Sequence, residues 1–87
     1  MNIIRSADLE RTLKTLSVDM RRFYLIQENR FKNDRRDPRL HIKKVHGLPN
    51  TFSFRVTRNF RVLFYFHTQD TTIFFAIDDR KDIYKNL

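Results

Sequence analysis

The stretch from Phe52 to Phe66, FSFRVTRNFRVLFYF, alternates hydrocarbon with polar or basic side chains on both sides of Thr57-Arg58-Asn59. A period of two marks a strand with one buried face, so the stretch predicts a β-hairpin with a greasy side and an arginine-bearing side. Its register can be derived. A two-residue turn at Arg58-Asn59 would set Val56 opposite Arg61 and send the two apolar rows to opposite faces. A three-residue loop, Thr57-Arg58-Asn59, sets Val56 opposite Phe60 and Phe54 opposite Val62. Burial of a common face selects the second register, with Asn59 expected in the left-handed conformation that closes such a loop.

The predicted strands are Phe52–Val56, Phe60–His67 and about Thr72–Asp78. A turn centred on Gln69-Asp70 sets Phe66 opposite Ile73, Phe64 opposite Phe75 and Val62 opposite Ile77, so one sheet face is continuous hydrocarbon. The other face then carries Ser53, Arg55, Arg61, Leu63, Tyr65, Phe74, Ala76 and Asp78. Arg55 lies opposite Arg61, Arg61 opposite Asp78, and Arg80 emerges on the same side. Opposed like charges destabilise a strand pair, and a bound anion would offset that cost. The competing reading is a set of snorkelling arginines partly neutralised by Asp78 and Asp79. Tyr65 and Phe74 are expected to pack under the C-terminal residues Ile83 and Leu87 rather than to stack on bases.

Upstream the period is 3.6. Ser6 is a plausible cap for a helix from Ala7 to Leu16, with Leu9, Leu13 and Leu16 at helical spacing. Ser17 caps a second helix, on which Met20, Phe23, Tyr24, Gln27 and Phe31 share a side until the pattern decays by Asn33. Pro38 ends a loop, Arg39–His46 reads as an extended basic arm or irregular strand, and His46–Asn50 is a turn. Asn2–Arg5 suits a short first strand. The whole predicts a single α+β domain over residues 1–87, with two antiparallel helices packed on one face of a small, mainly antiparallel sheet.

Charge narrows the function. The net +8 comes from residues 30–61, which carry ten basic and two acidic groups, whereas the flanking segments nearly balance. Such concentration is the footprint of a polyanion ligand, most often nucleic acid, or else a solvated basic loop face. With no cysteine there is no disulfide frame or thiolate metal site, and a single glycine excludes a glycine-rich phosphate loop. His41, His46 and His67 lack ligand spacing, and Asp78, Asp79 and Asp82 alternate with Arg80 and Lys81, so no metal or other cofactor is expected. Acidic residues near the N-terminus and apolar runs of five residues, such as Val62–Phe66, argue against a signal peptide or membrane span. A cytoplasmic protein is expected.

Two motifs carry a resemblance: Phe60-Arg61-Val62-Leu63-Phe64 and Arg80-Lys81-Asp82-Ile83-Tyr84, preceded by KKVHGLPNTFSFRV. Over nearly its whole length the chain resembles the RelE/ParE superfamily of bacterial type II toxin–antitoxin toxins. The resemblance implies a RelE-like microbial RNase fold and a ribosome-dependent mRNA endonuclease. In such enzymes the 2′-hydroxyl attacks the adjacent phosphate without metal, leaving a cyclic phosphate and a 5′-hydroxyl. It also implies a cognate antitoxin protein as partner, together with mRNA and the ribosome A site. Carried over by residue, it places the family's site at Arg55, Arg61, Arg80 and Tyr84. Arg61 and Arg55 would hold the phosphate and Arg80 the leaving oxygen, while Tyr84 would stack on a base or act as the general base. Lys43, Lys44, Arg58 and Lys81 would bind the RNA backbone. Asp79 and Ser53 stand where many relatives have basic residues, which leaves the proton donor unassigned. The alternatives are a ParE-like DNA gyrase inhibitor without nuclease activity and an inactive toxin-like binding module.

Overall fold

The computed structural model describes residues 1–85. Two serine caps begin the helices. The Ser6 hydroxyl accepts from the Leu9 N–H and opens α1 (Ala7–Thr15), and Ser17 accepts from Met20 N–H and opens α2 (Val18–Asn33), each at 3.1 Å. The Ser6 hydroxyl also donates to the Phe75 carbonyl, tying the start of α1 to the sheet. That sheet has five strands, β1 (Asn2–Arg5), β2 (Lys43–Lys44), β3 (Thr51–Arg55), β4 (Phe60–Phe66) and β5 (Thr71–Asp79), in the order β1-β5-β4-β3-β2. β1 runs parallel to β5, and every other pairing is antiparallel. The basic arm resolves into a 3₁₀ turn at Pro38–Leu40 followed by β2 on the sheet edge.

The core lies between the helices and one sheet face. Leu9 and Leu13 of α1 and Tyr24 and Phe31 of α2 meet Phe54, Val62, Phe64, Phe74 and Ile77. Phe31 sets its edge against Phe64 and Phe74, with centroids 5.0 and 5.1 Å apart and near-perpendicular planes, the arrangement that aromatic quadrupoles favour. Gln27, buried in the same helical stripe, gives its amide hydrogens to the Arg39 and Arg55 carbonyls. It thereby pins the basic arm and the end of β3 to α2.

Around the hairpin the derived register holds: Phe54 pairs with Val62, Arg55 with Arg61, Arg61 with Asp78 and Val62 with Ile77. Beyond Leu63 it does not. A β-bulge in β5 sets Phe64 opposite Phe74, not Phe75, and Phe66 opposite Thr72, not Ile73. Phe75 and Ala76, adjacent in sequence, therefore both point away from the helices, while Phe74 enters the core. Tyr65 accordingly packs on Phe75, at 5.8 Å between centroids; of its expected cover, Leu87 lies outside the described residues.

Two further expectations are corrected. Asn59 is not left-handed. The Thr57 hydroxyl accepts from Phe60 N–H, and Val56 N–H donates to the Phe60 carbonyl, which closes the loop without a positive φ. Phe23 is half exposed because it stands roughly 100° around α2 from Tyr24, and the buried stripe of Tyr24, Gln27 and Phe31 is narrower than the predicted one.

β1 is fastened to α2 by charge. The Arg5 guanidinium bonds both Glu28 oxygens, at 2.8 and 2.6 Å, and the Tyr24 hydroxyl donates to the same carboxylate at 2.7 Å. Burial favours the neutral acid, but the hydrogen bonds from Arg5 and Tyr24 outweigh it and hold the Glu28 pKa below its ordinary value. A carboxyl with a depressed folded pKa stabilises the fold above its unfolded pKa, about 4.3, and that contribution disappears as pH falls through the folded value. Urea denaturation between about pH 5 and 3 should therefore show a shallower acid loss of stability in Glu28→Gln than in the wild type. Phe31→Ala, which opens a cavity among three rings, should cost about 3–5 kcal/mol at neutral pH.

Candidate functional site

The face away from the helices is divided in two. On one part Val45, Leu63 and Ile83 form a small buried cluster, with Leu48, Phe75 and Ala76 packed against it. Val45 arrives from the end of β2 and Ile83 from the turn after β5, so the cluster fastens both segments over the sheet. The turn is closed by Asp82 and Ile83 N–H groups donating to the Asp79 carbonyl, each at 2.9 Å. Arg80 N–H donates to the Asn59 carbonyl at 2.6 Å, joining the turn to the hairpin loop.

Between these anchored segments lies an open cleft of about 650 Å³ lined by Lys43, Lys44, Val45, His46, Gly47, Leu48, Arg61, Arg80 and Tyr84. Among the described residues its lining has four permanent cations and no carboxylate. Arg61 forms the buried part, 8% exposed, and its Nη1 is enclosed without a hydrogen-bond partner among the described residues. Nε of Arg55, the residue paired with Arg61, is also buried and unpartnered. Tyr84 stands at the rim, 44% exposed.

The neutralising role considered for Asp78 and Asp79 is not taken up. Although Asp78 pairs with Arg61 in the ladder, its carboxylate accepts from the Asp79 N–H, and the Asp79 carboxylate accepts from the Lys81 N–H. Among the described residues neither carboxylate forms an ion pair with Arg61 or Arg55. A buried guanidinium with a free donor and no counterion is costly. Its forked donors suit a phosphate oxygen, whose charge would supply what the fold lacks.

Of the sequence-derived site residues, Lys43, Lys44, Arg61, Arg80 and Tyr84 converge on the cleft. Arg55 lies beside Arg61 on the neighbouring strand and outside the lining, Arg58 sits exposed on the hairpin loop, and Lys81 is exposed in the C-terminal turn. Ser53, which interrupts the expected row of basic residues, is buried directly opposite Lys43. A neighbouring strand thus brings an amine to the position that β3 leaves uncharged. Sequence reasoning missed His46 and the apolar anchors Val45 and Leu48. The HGLPN turn marked a reversal of the chain there but not the face it would cover.

Replacing Arg61 by methionine keeps an apolar stem and removes the unpaired charge. Arg61→Met should raise stability in low-salt buffer, by on the order of 1 kcal/mol, and should lose the added stabilisation that phosphate gives the wild type. Thermal melts of both proteins across a phosphate titration measure the two effects.

No protein-family model and no curated protein matches the sequence. Solved structures do match the fold. The RelB–RelE antitoxin–toxin complex from Methanococcus jannaschii superposes with a TM-score of 0.77 at 24% identity, covering 97% of this chain and 98% of that one. The archaeal RelE–RelB complex from Pyrococcus horikoshii OT3 gives 0.74 at 13% identity, over 91% and 93%. The YoeB/ParE toxin from Agrobacterium tumefaciens gives 0.68 at 11%, over 92% and 99%. Two helices on a five-stranded, mostly antiparallel sheet thus give this chain the fold of the RelE and YoeB/ParE toxins.

Proposed function

We propose that this chain is the toxin of a type II toxin–antitoxin pair and acts as an mRNA endonuclease, cleaving in the ribosome A site of the cytoplasm. The observation that carries the reading is the buried Arg61 guanidinium, its Nη1 unpartnered, beneath a cleft rimmed by Lys43, Lys44, Arg80 and Tyr84. A single-stranded RNA phosphate seated on Arg61 would occupy that donor, with Arg55 adding charge from the neighbouring strand and the lysines fixing the RNA's path. Attack of the 2′-oxygen on phosphorus forms one P–O bond and breaks the P–O5′ bond, leaving a cyclic phosphate and a 5′-hydroxyl. Preorganised cations stabilise the charge that gathers on the phosphorane oxygens, and Arg80 serves the departing 5′-oxygen. The exposed Tyr84 ring stacks on a flanking base.

The protein partner is a cognate antitoxin. Its support is that the similar RelE structures were solved as complexes with RelB, and that a chain of net charge +8 complements an acidic segment. No helix among the described residues is long and apolar enough to cross a membrane, and no membrane partner is invoked.

Induction of the wild type and of Arg61→Ala in cells, with mRNA ends mapped by primer extension, tests the proposal. The expected result is cleavage phased with codons in the wild type and absent from the variant. Growth arrest with intact mRNA and an SOS response would replace the nuclease with gyrase inhibition, and no arrest would leave an inactive binding module.

A further inference from the structure

The cleft supplies positive charge, but the proposed cleavage also needs a group that takes the proton from the 2′-hydroxyl. The ionisable side chains that face this space are Lys43, Lys44 and His46 from β2 and its turn, Arg61 from β4, and Arg80 and Tyr84 from the C-terminal turn. Lysine and arginine are already protonated near neutral pH, and a tyrosine accepts a proton only as phenolate. An imidazole is the one side chain of the set whose free base is ordinarily abundant there. Asp79 does not compete, since its carboxylate is engaged by the Lys81 N–H and is absent from the lining.

His46 is also held in place. Val45 before it is buried against Leu63 and Ile83, and Leu48 after it packs on the same cluster. The Val45 N–H donates to the Thr51 carbonyl at 2.9 Å, the Thr51 N–H to the Leu48 carbonyl at 3.4 Å, and the Thr51 hydroxyl to the Pro49 carbonyl at 3.1 Å. Gly47 and Asn50 adopt φ of 83° and 57°. A Cβ on Gly47 would meet nothing within 4 Å, so this glycine serves the backbone conformation and not close packing. The turn therefore presents an exposed imidazole over the cleft from two apolar anchors, open to proton exchange with solvent.

Resting on the ribonuclease reading, we propose that His46 is the general base of this site. Its neutral imidazole takes the proton of the 2′-hydroxyl as the 2′-oxygen bonds to phosphorus. The P–O5′ bond breaks, the departing oxygen takes a proton from water, and the imidazolium returns its own proton to solvent. Atoms and charge balance without another reactant.

The test compares purified wild type, His46→Ala and His46→Gln in single-turnover cleavage of a short labelled mRNA on programmed ribosomes, from about pH 5.5 to 8.5. Wild-type rates should rise with pH, as a base that must be unprotonated requires. Both variants should be slower by about 10²-fold or more and lose that rise, while binding of a 2′-O-methyl RNA stays unchanged. A substrate with sulfur in place of the bridging 5′-oxygen, whose thiolate leaves unprotonated, should remain as slow with the variants relative to the wild type. Recovery on that substrate would make His46 an acid and overturn the assignment. So would wild-type rates in the variants, or a loss explained wholly by weaker binding. Wild-type cleavage with unimpaired variants would sink the assignment alone, whereas a wild type that cleaves no RNA would sink the nuclease reading with it.

Discussion

Strands β3, β4 and β5 must turn their apolar rows to the same side, and most of the molecule follows from that constraint. Phe54, Val62, Phe64, Phe74 and Ile77 can share one core only if Val62 sits opposite both Phe54 and Ile77. That register leaves Arg55 no partner across the strands except Arg61. The energetic order is clear: burying one phenylalanine yields about 1.5–3 kcal/mol, and a like-charge cross-strand pair costs about 0.2–1 kcal/mol. The core therefore dictates the pairing, and the reverse face inherits two opposed guanidiniums. A cationic cleft is the by-product of a hydrophobic decision.

The reverse face is not left open, however. Val45, Leu63 and Ile83 form a second, smaller core that fastens the arm before β3 and the turn after β5 against the sheet. Residues distant in sequence, Lys43 and Arg80 among them, reach the same cleft because these anchors hold their segments there. Asp78 and Asp79, which would neutralise the arginines, bond neighbouring backbone N–H groups instead. The result is a cleft with anchored walls, converging cations and a buried donor without an acceptor among the described residues. Under the proposed phosphate binding, stability and binding pull in opposite directions at Arg61, as is common where a site must favour a ligand's charge.

What could be read from the sequence was whatever depends on local period. The caps at Ser6 and Ser17, the change from 3.6 to 2 after Asn50 and the Arg55–Arg61–Asp78 register all follow from spacing and a shared buried face. The bulge at Phe75 was not legible, because Ile73, Phe74 and Phe75 are all apolar and alternation gives no reason to prefer one pairing. Phe23 was misassigned because a helical wheel does not show how wide a stripe the sheet will cover. Asn59 needed no left-handed backbone once the Thr57 hydroxyl had taken over an acceptor's role, a side-chain effect that residue preferences do not encode. His46 was weighed in the sequence only as a metal ligand. Its place at the cleft depends on long-range packing of Val45 against Leu63 and Ile83, which no local pattern reveals.

The central claim is that Arg61 receives a phosphate, and arginine side-chain NMR tests it most directly. In a titration of the wild type with a non-cleavable 2′-O-methyl RNA, the Arg61 guanidinium signals should move first and farthest, accompanied by those of Arg55 and Arg80. The Arg5 signals, locked to Glu28, should stay in place. Saturable binding that shifts only Arg35 and Arg36, exposed cations of the loop between α2 and the 3₁₀ turn, while Arg61 remains unchanged, would contradict the account.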